Sequence, residues 1–127
     1  MIAYAATTRD ITVTIHPIYL DEPSDFFEKE FAFAYSVRIE NRSAEEVQLL
    51  RRHWIITEEN GHLQDVEGEG VVGQQPVIAP GRMHQYSSSC IINSFGGTME
   101  GTYLMQRESG ERFRATIPRF PLHVAAN

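Results

Sequence analysis

Apolar residues in this chain recur at every second position, and that period decides which folds are open to it. From Phe31 to Glu40 the alternation is unbroken. Phe31, Phe33, Tyr35, Val37 and Ile39 share one face, and Ala32, Ala34, Ser36, Arg38 and Glu40 share the other. Successive side chains point to opposite sides only in an extended strand, so this is a strand with one buried face. Ile11, Val13 and Ile15 alternate with Thr12, Thr14 and His16 in the same way. β-Branched side chains suit such a half-buried pleat. No window shows a sustained 3.6-residue period with caps, which predicts helix content near zero.

Further strands are expected over Val47–Glu58, His62–Val66, Met83–Ile92, Thr98–Gln106 and Phe113–Ile117. Turns fall at Asn41-Arg42-Ser43, Glu59-Asn60-Gly61, Phe95-Gly96-Gly97 and Ser109-Gly110. Leu50, Trp54 and Ile56 lie in phase on the third strand. Arg52 shares that phase, so a bulge or strand end is expected beside it. Pro17 is expected to end the first strand, residues 20–29 to form an acidic loop, and Pro118 to close the last strand. The tail from Arg119 is expected to lie along an edge and then fray. Seven short strands with short turns predict an all-β sandwich, with Trp54 between the sheets. The 127 residues form one domain over 1–127, with a core of about 10–122.

Composition narrows the function. The net charge is −6, and Lys29 is the only lysine, so no basic face for nucleic acid is expected. Cys90 stands alone, which excludes an internal disulfide and a multi-cysteine zinc site. The start, Met1-Ile2-Ala3-Tyr4-Ala5-Ala6, has no basic n-region or long apolar run, so it does not read as a signal peptide. No stretch suits membrane insertion. The expectation is a cytoplasmic protein, a monomer or weak homodimer.

Several segments carry a resemblance. They are Gln48-Leu49-Leu50-Arg51-Arg52-His53-Trp54-Ile55-Ile56-Thr57, then Val66-Glu67-Gly68-Glu69-Gly70-Val71-Val72-Gly73-Gln74-Gln75-Pro76 with Pro80-Gly81. Gly97-Thr98-Met99-Glu100-Gly101-Thr102-Tyr103 and Ile117-Pro118-Arg119-Phe120 follow. In this order, from about Ile11 to Leu122, they resemble the bacterial ApaG family. The resemblance implies a fibronectin-type-III-like, that is immunoglobulin-like, sandwich. It implies a link by name and gene neighbourhood to cobalt and magnesium handling and to dinucleoside polyphosphate metabolism. It implies no established enzymatic activity. Related domains inside larger eukaryotic proteins, including F-box proteins and a polymerase-associated protein, imply a module that binds proteins.

Gly68-x-Gly70-x-x-Gly73 matches the dinucleotide fingerprint as a string, which makes Gly68, Gly70 and Gly73 a candidate pyrophosphate loop. That chemistry needs the glycines to open a helix whose first amides hold the phosphates. Pro76 disfavours a helix here, and Glu67 and Glu69 put negative charge beside the phosphate. A bulge or a crossing between sheets is the simpler account. The histidines His16, His53, His62, His84 and His123 form no metal-ligand pair in sequence. His53 and His62 could meet across the 59–61 turn, but no metal or other cofactor is expected. Ser87-Ser88-Ser89-Cys90 lacks the elbow and base of a nucleophile.

The expected function is therefore non-catalytic binding to an unidentified protein partner. The long connection from Glu67 to Arg82 is the expected contact region, pinned by Val71, Val72, Val77 and Ile78. Arg52, His53, Glu69 and Gln74 are the candidate partner-binding residues. The loop of Phe26 and Phe27 is the next candidate. The alternative is a nucleotide or pyrophosphate sensor using the glycine loop.

Overall fold

A computed structural model describes residues 2–25 and 27–124. There are nine strands and no helix among them. They are β1 (Tyr4–Thr8), β2 (Ile11–Asp25), β3 (Glu30–Asn41), β4 (Val47–Glu58), β5 (Leu63–Glu69), β6 (Val77–Ile78), β7 (Met83–Ile92), β8 (Gly96–Arg107) and β9 (Arg112–His123). Two antiparallel sheets result. One runs β1-β2-β3-β7. The other runs β5-β4-β8-β9, with β6 paired to β4 beyond β5. The alternating faces meet between the sheets. Ile11, Val13, Ile15, Phe31, Phe33, Val37 and Ile39 from one sheet are buried against Trp54, Ile56, Met99, Tyr103, Met105, Ala115 and Ile117 from the other.

Nine strands replace the expected seven because β1 and β6 add to them, and two prolines do not end their strands. β1 pairs with β2 only as far as Tyr4 opposite Ile15, so β2 has an open side from His16 onward, where a proline is tolerated. β2 therefore runs through Pro17 to Asp25, and most of the expected acidic loop is strand. The turn at 27–29 leaves Phe27 fully exposed; Phe26 lies outside the described residues. Pro118 sits in a bulge, because Ile117 faces Gly101 while Phe120 faces Met99. β9 then continues to His123 along the edge of its sheet, as expected of the tail, but instead of fraying from Arg119 it buries Phe120 and Leu122 in the core.

The bulge expected near Arg52 lies at Leu50. Leu49 pairs with Met105 and Arg51 with Leu104, so Leu50 is the extra residue. It is Leu49, not Leu50, that faces the core. After the bulge the phase resumes with Arg52, Trp54 and Ile56 pointing inward. The connection after β5 fits this irregularity. Leu50 O accepts hydrogen bonds from Gly70 N (2.9 Å) and from Gln75 Nε2 (2.9 Å), and Leu49 N donates to Pro76 O (3.0 Å). Val71 and Ile78 pin the connection into the core, whereas Val72 and Val77 are exposed. The crossing to the other sheet comes only at residues 79–82. There Arg82 N bonds Ala79 O, and Gly81 N bonds Asn41 O.

Candidate binding site between two open edges

The two flanks of the sandwich differ. On one flank β1 and β2 pack against β9 and close the gap. On the other flank the edge strands are β5 and β7, and they do not pair. A cleft of about 440 Å³ opens there between the sheets. The register fixes its lining. On β5 the inward residues are Gln64, Val66 and Gly68, opposite Ile56, Trp54 and Arg52. On β7 they are Tyr86, Ser88 and Cys90, opposite Val37, Tyr35 and Phe33. Gln64 Nε2 reaches across the flank to Ile91 O (3.3 Å) and bridges the edges at one end.

Among the described residues Arg52 is the only charged side chain lining the cleft. Its Nη1 donates to Glu69 O (2.9 Å) and Gly70 O (3.0 Å). Among the described residues no carboxylate is paired with it. Behind it the hydroxyls of Tyr86 and Tyr103 are hydrogen-bonded to each other, and Tyr35 stands directly opposite Ser88. Burial raises the pKa of all three tyrosines, so they remain neutral donors and acceptors. Burial, helped by the Glu58 charge, pushes the Cys90 thiol up to about 11. Its Sγ lies 3.8 Å from Met99 Sδ. The rim is apolar, with Val66, Val72 and Ile91 exposed.

The glycine loop is a tight turn. Val71 and Gln74 bond each other twice through the backbone, at 2.8 and 3.0 Å. Val72 (φ +47°) and Gly73 (φ +76°) between them both take positive φ, as a type I′ turn requires. No helix follows. The amides of Gly70, Val71 and Gln74 are all engaged by backbone carbonyls. Gly70 also has positive φ, and a Cβ there would overlap the Gln74 carbonyl oxygen. Gly68 is needed for a separate reason: Arg52 lies across it.

The candidate partner residues are divided between two faces. Arg52 points into the cleft. His53, next along β4, points to the outer face, where Nε2 lies 2.7 Å from Asp65 Oδ1 and Nδ1 lies 3.7 Å from Glu67 Oε1. Glu69, opposite Arg51, is on that outer side too, and Gln74 is exposed in the turn. His62 sits at the hairpin turn, where its amide bonds Asn60 Oδ1 (2.8 Å), and it is not brought to His53. Among the described residues no three His, Cys, Asp or Glu side chains are grouped to hold a metal ion. The sequence reading missed Tyr35, Tyr86, Tyr103, Ser88 and Val66. Tyr86, Ser88 and Cys90 do alternate on β7, but only the sheet order shows that they face an open flank.

Residues 21–107 match the model of the ApaG domain. The chain belongs to the ApaG family. It is 49% identical over 119 residues to Protein ApaG of Paramagnetospirillum magneticum, covering 94% of this chain and 92% of that one. Its identity to Protein ApaG of Brucella suis is 48% over 121 residues, covering 95% and 93%. The crystal structure of the putative ApaA protein from Bordetella pertussis superposes with a TM-score of 0.89 at 42% identity, covering 93% of this chain and 96% of that one. Every residue lining the cleft falls within the matched ApaG span, whereas β1 and β9, which close the opposite flank, lie outside it.

Proposed function

We propose that this ApaG-family domain is a non-catalytic binding module, and that a protein partner docks on the flank between β5 and β7. The observation that carries the proposal is Arg52, a half-buried guanidinium in a cleft with neutral walls and an apolar rim. A cation held this way, without a carboxylate, is placed for a group supplied from outside. Apolar rims around a few convergent polar groups are typical of binding surfaces.

Catalysis draws little support from the same residues. Nucleophiles are activated by a lowered pKa or an adjacent base. The Cys90 thiol and the tyrosine hydroxyls are shifted the opposite way. The sensor reading also draws little support, because three amides of the glycine loop already serve the turn. On the docking reading, the family's tie to cobalt and magnesium is served by contact with another cytoplasmic protein rather than by holding the ion.

A photoactivatable residue at position 72, on the cleft rim, would be compared in living cells with one at Arg114 on the far face of β9. A discrete protein adduct is expected from position 72 alone. Adducts from position 114 alone would move the contact face elsewhere.

A further inference from the structure

Sheet edges present unpaired backbone groups, and proteins guard them with charge, proline, bulges or shortness. Three edges here are guarded. β1 has five residues and packs beside β9. β5 carries Asp65, Glu67 and Glu69. β9 carries Arg112, Arg114, Arg119, Pro118, Pro121 and a bulge. β7 has no such guard. Met83–Ile92 contains no Asp, Glu, Lys, Arg or Pro, and its register with β3 is unbroken along its whole length.

The orientation of its backbone follows from two bonds. Arg82 O accepts from Asn41 N of β3, so residue 82 points toward β3. Ile91 O accepts from Gln64 on the opposite side. Backbone direction alternates along an antiparallel strand. Met83, Gln85, Ser87, Ser89 and Ile91 therefore all direct N–H and C=O groups away from β3, into the open flank.

We propose that β7 is a strand-acceptor edge, to which an extended segment of a protein partner adds, placing an Asp or Glu side chain on Arg52. The proposal rests on the docking reading above and gives it a chemistry. A strand added to β7 extends that sheet over the cleft. Alternate side chains of the added strand then face Val66, Val72 and Arg52, while the others face solvent. Main-chain bonds to β7 supply affinity, and the cleft selects sequence. The carboxylate follows from charge complementarity: among the described residues Arg52 is the sole charge lining the cleft, and guanidinium pairs with carboxylate through parallel hydrogen bonds. A second copy of β7 would bring no carboxylate, and each copy carries a net charge of −6, so the occupant is a different chain.

The test is selection of random nonapeptides, displayed on phage, against the full-length domain. Enriched peptides should carry apolar residues at alternate positions and one fixed Asp or Glu. N-methylation of alternate peptide amides should weaken binding about ten-fold or more, the scale of a lost hydrogen bond or two. Ser87→Pro should do the same, because its N–H faces the open flank. The N-methyl peptides keep the test decisive if that variant does not fold. Selection against Arg52→Gln should return peptides without the fixed acid. If the peptides perturb Tyr86 and Val66 resonances but ignore N-methylation, strand addition fails and the docking face stands. If they map to another face, both fail. No enrichment, or dimerisation through β7, overturns the proposal.

Discussion

The Arg52 guanidinium lies flat across Gly68. A Cβ at Gly68 would come within 2.8 Å of Arg52 Nη2, and Arg52 Nη1 holds the carbonyls of the next two residues at 2.9 and 3.0 Å. Glycine is required here to seat an arginine. At Gly101 the neighbour is backbone instead, because a Cβ there would overlap the His53 carbonyl oxygen. Gly68→Ala should therefore cost at most about 1 kcal/mol, since the arginine end can swing away, but it should displace the guanidinium. Gly101→Ala should cost about 3 kcal/mol, because two paired strands must separate. Denaturant melts of both variants, with the Arg52 side-chain NMR signal, check the contrast.

Trp54 is buried among rings. Its centroid lies 5.3 Å from Tyr35, 6.3 Å from Tyr103 and 6.2 Å from Phe120. Trp54→Ala is expected to lose about 3–5 kcal/mol, as for large ring deletions in closed cores. A urea midpoint shift at unchanged slope is the measurement. A loss under about 1 kcal/mol would contradict the core position.

Val72 holds φ +47°, a region costly for a β-branched residue, yet its side chain is mostly exposed. Such strain is kept where a surface has work to do. Val72→Asn, which suits the first central position of a type I′ turn, should stabilise the domain by about 1 kcal/mol. It should also weaken whatever binding uses the cleft rim. A thermal melt beside the photocrosslinking comparison reads both effects.

Cys90 gives a pH signature. Its folded pKa of about 11 stands above the ordinary 9.0, so folding favours the neutral thiol. The associated stability is full below pH 9 and is lost as the pH rises from 9 to 11. At pH 8 the thiolate fraction is about 100-fold below that of a free cysteine, and iodoacetamide labelling should slow accordingly. Mass spectrometry of the labelled chain from pH 7 to 11 measures the rise.

ATP and dinucleoside polyphosphates should leave the amide resonances of Gly70 to Gln74 unmoved at millimolar ligand. The Gly70, Val71 and Gln74 amides are spent on Leu50, Gln74 and Val71 carbonyls, and no helix terminus stands behind them. Saturable shifts confined to this turn would restore the sensor reading.

Alternation alone determined the all-β class and most of the core: Ile11 to Ile15, Phe31 to Ile39, Met99 to Met105 and Phe113 to Ile117 are buried on the faces their phase assigns. Local turn chemistry likewise placed the Asn60-Gly61 hairpin, since positive φ at Gly61 is a property of residues adjacent in sequence. Tertiary structure decided the rest. Whether Pro17 ends a strand depends on how far β1 runs beside it, and whether Leu49 or Leu50 is core depends on a bulge set by the register with β8. The cleft belongs to the same class. Arg52, Val66, Tyr86 and Met99 come from four strands, and they face one another only because sheet order leaves β5 and β7 as unpaired neighbours. Periodicity reports which face of a strand is buried. Which strand becomes an edge is settled by long-range pairing, and no local pattern encodes it.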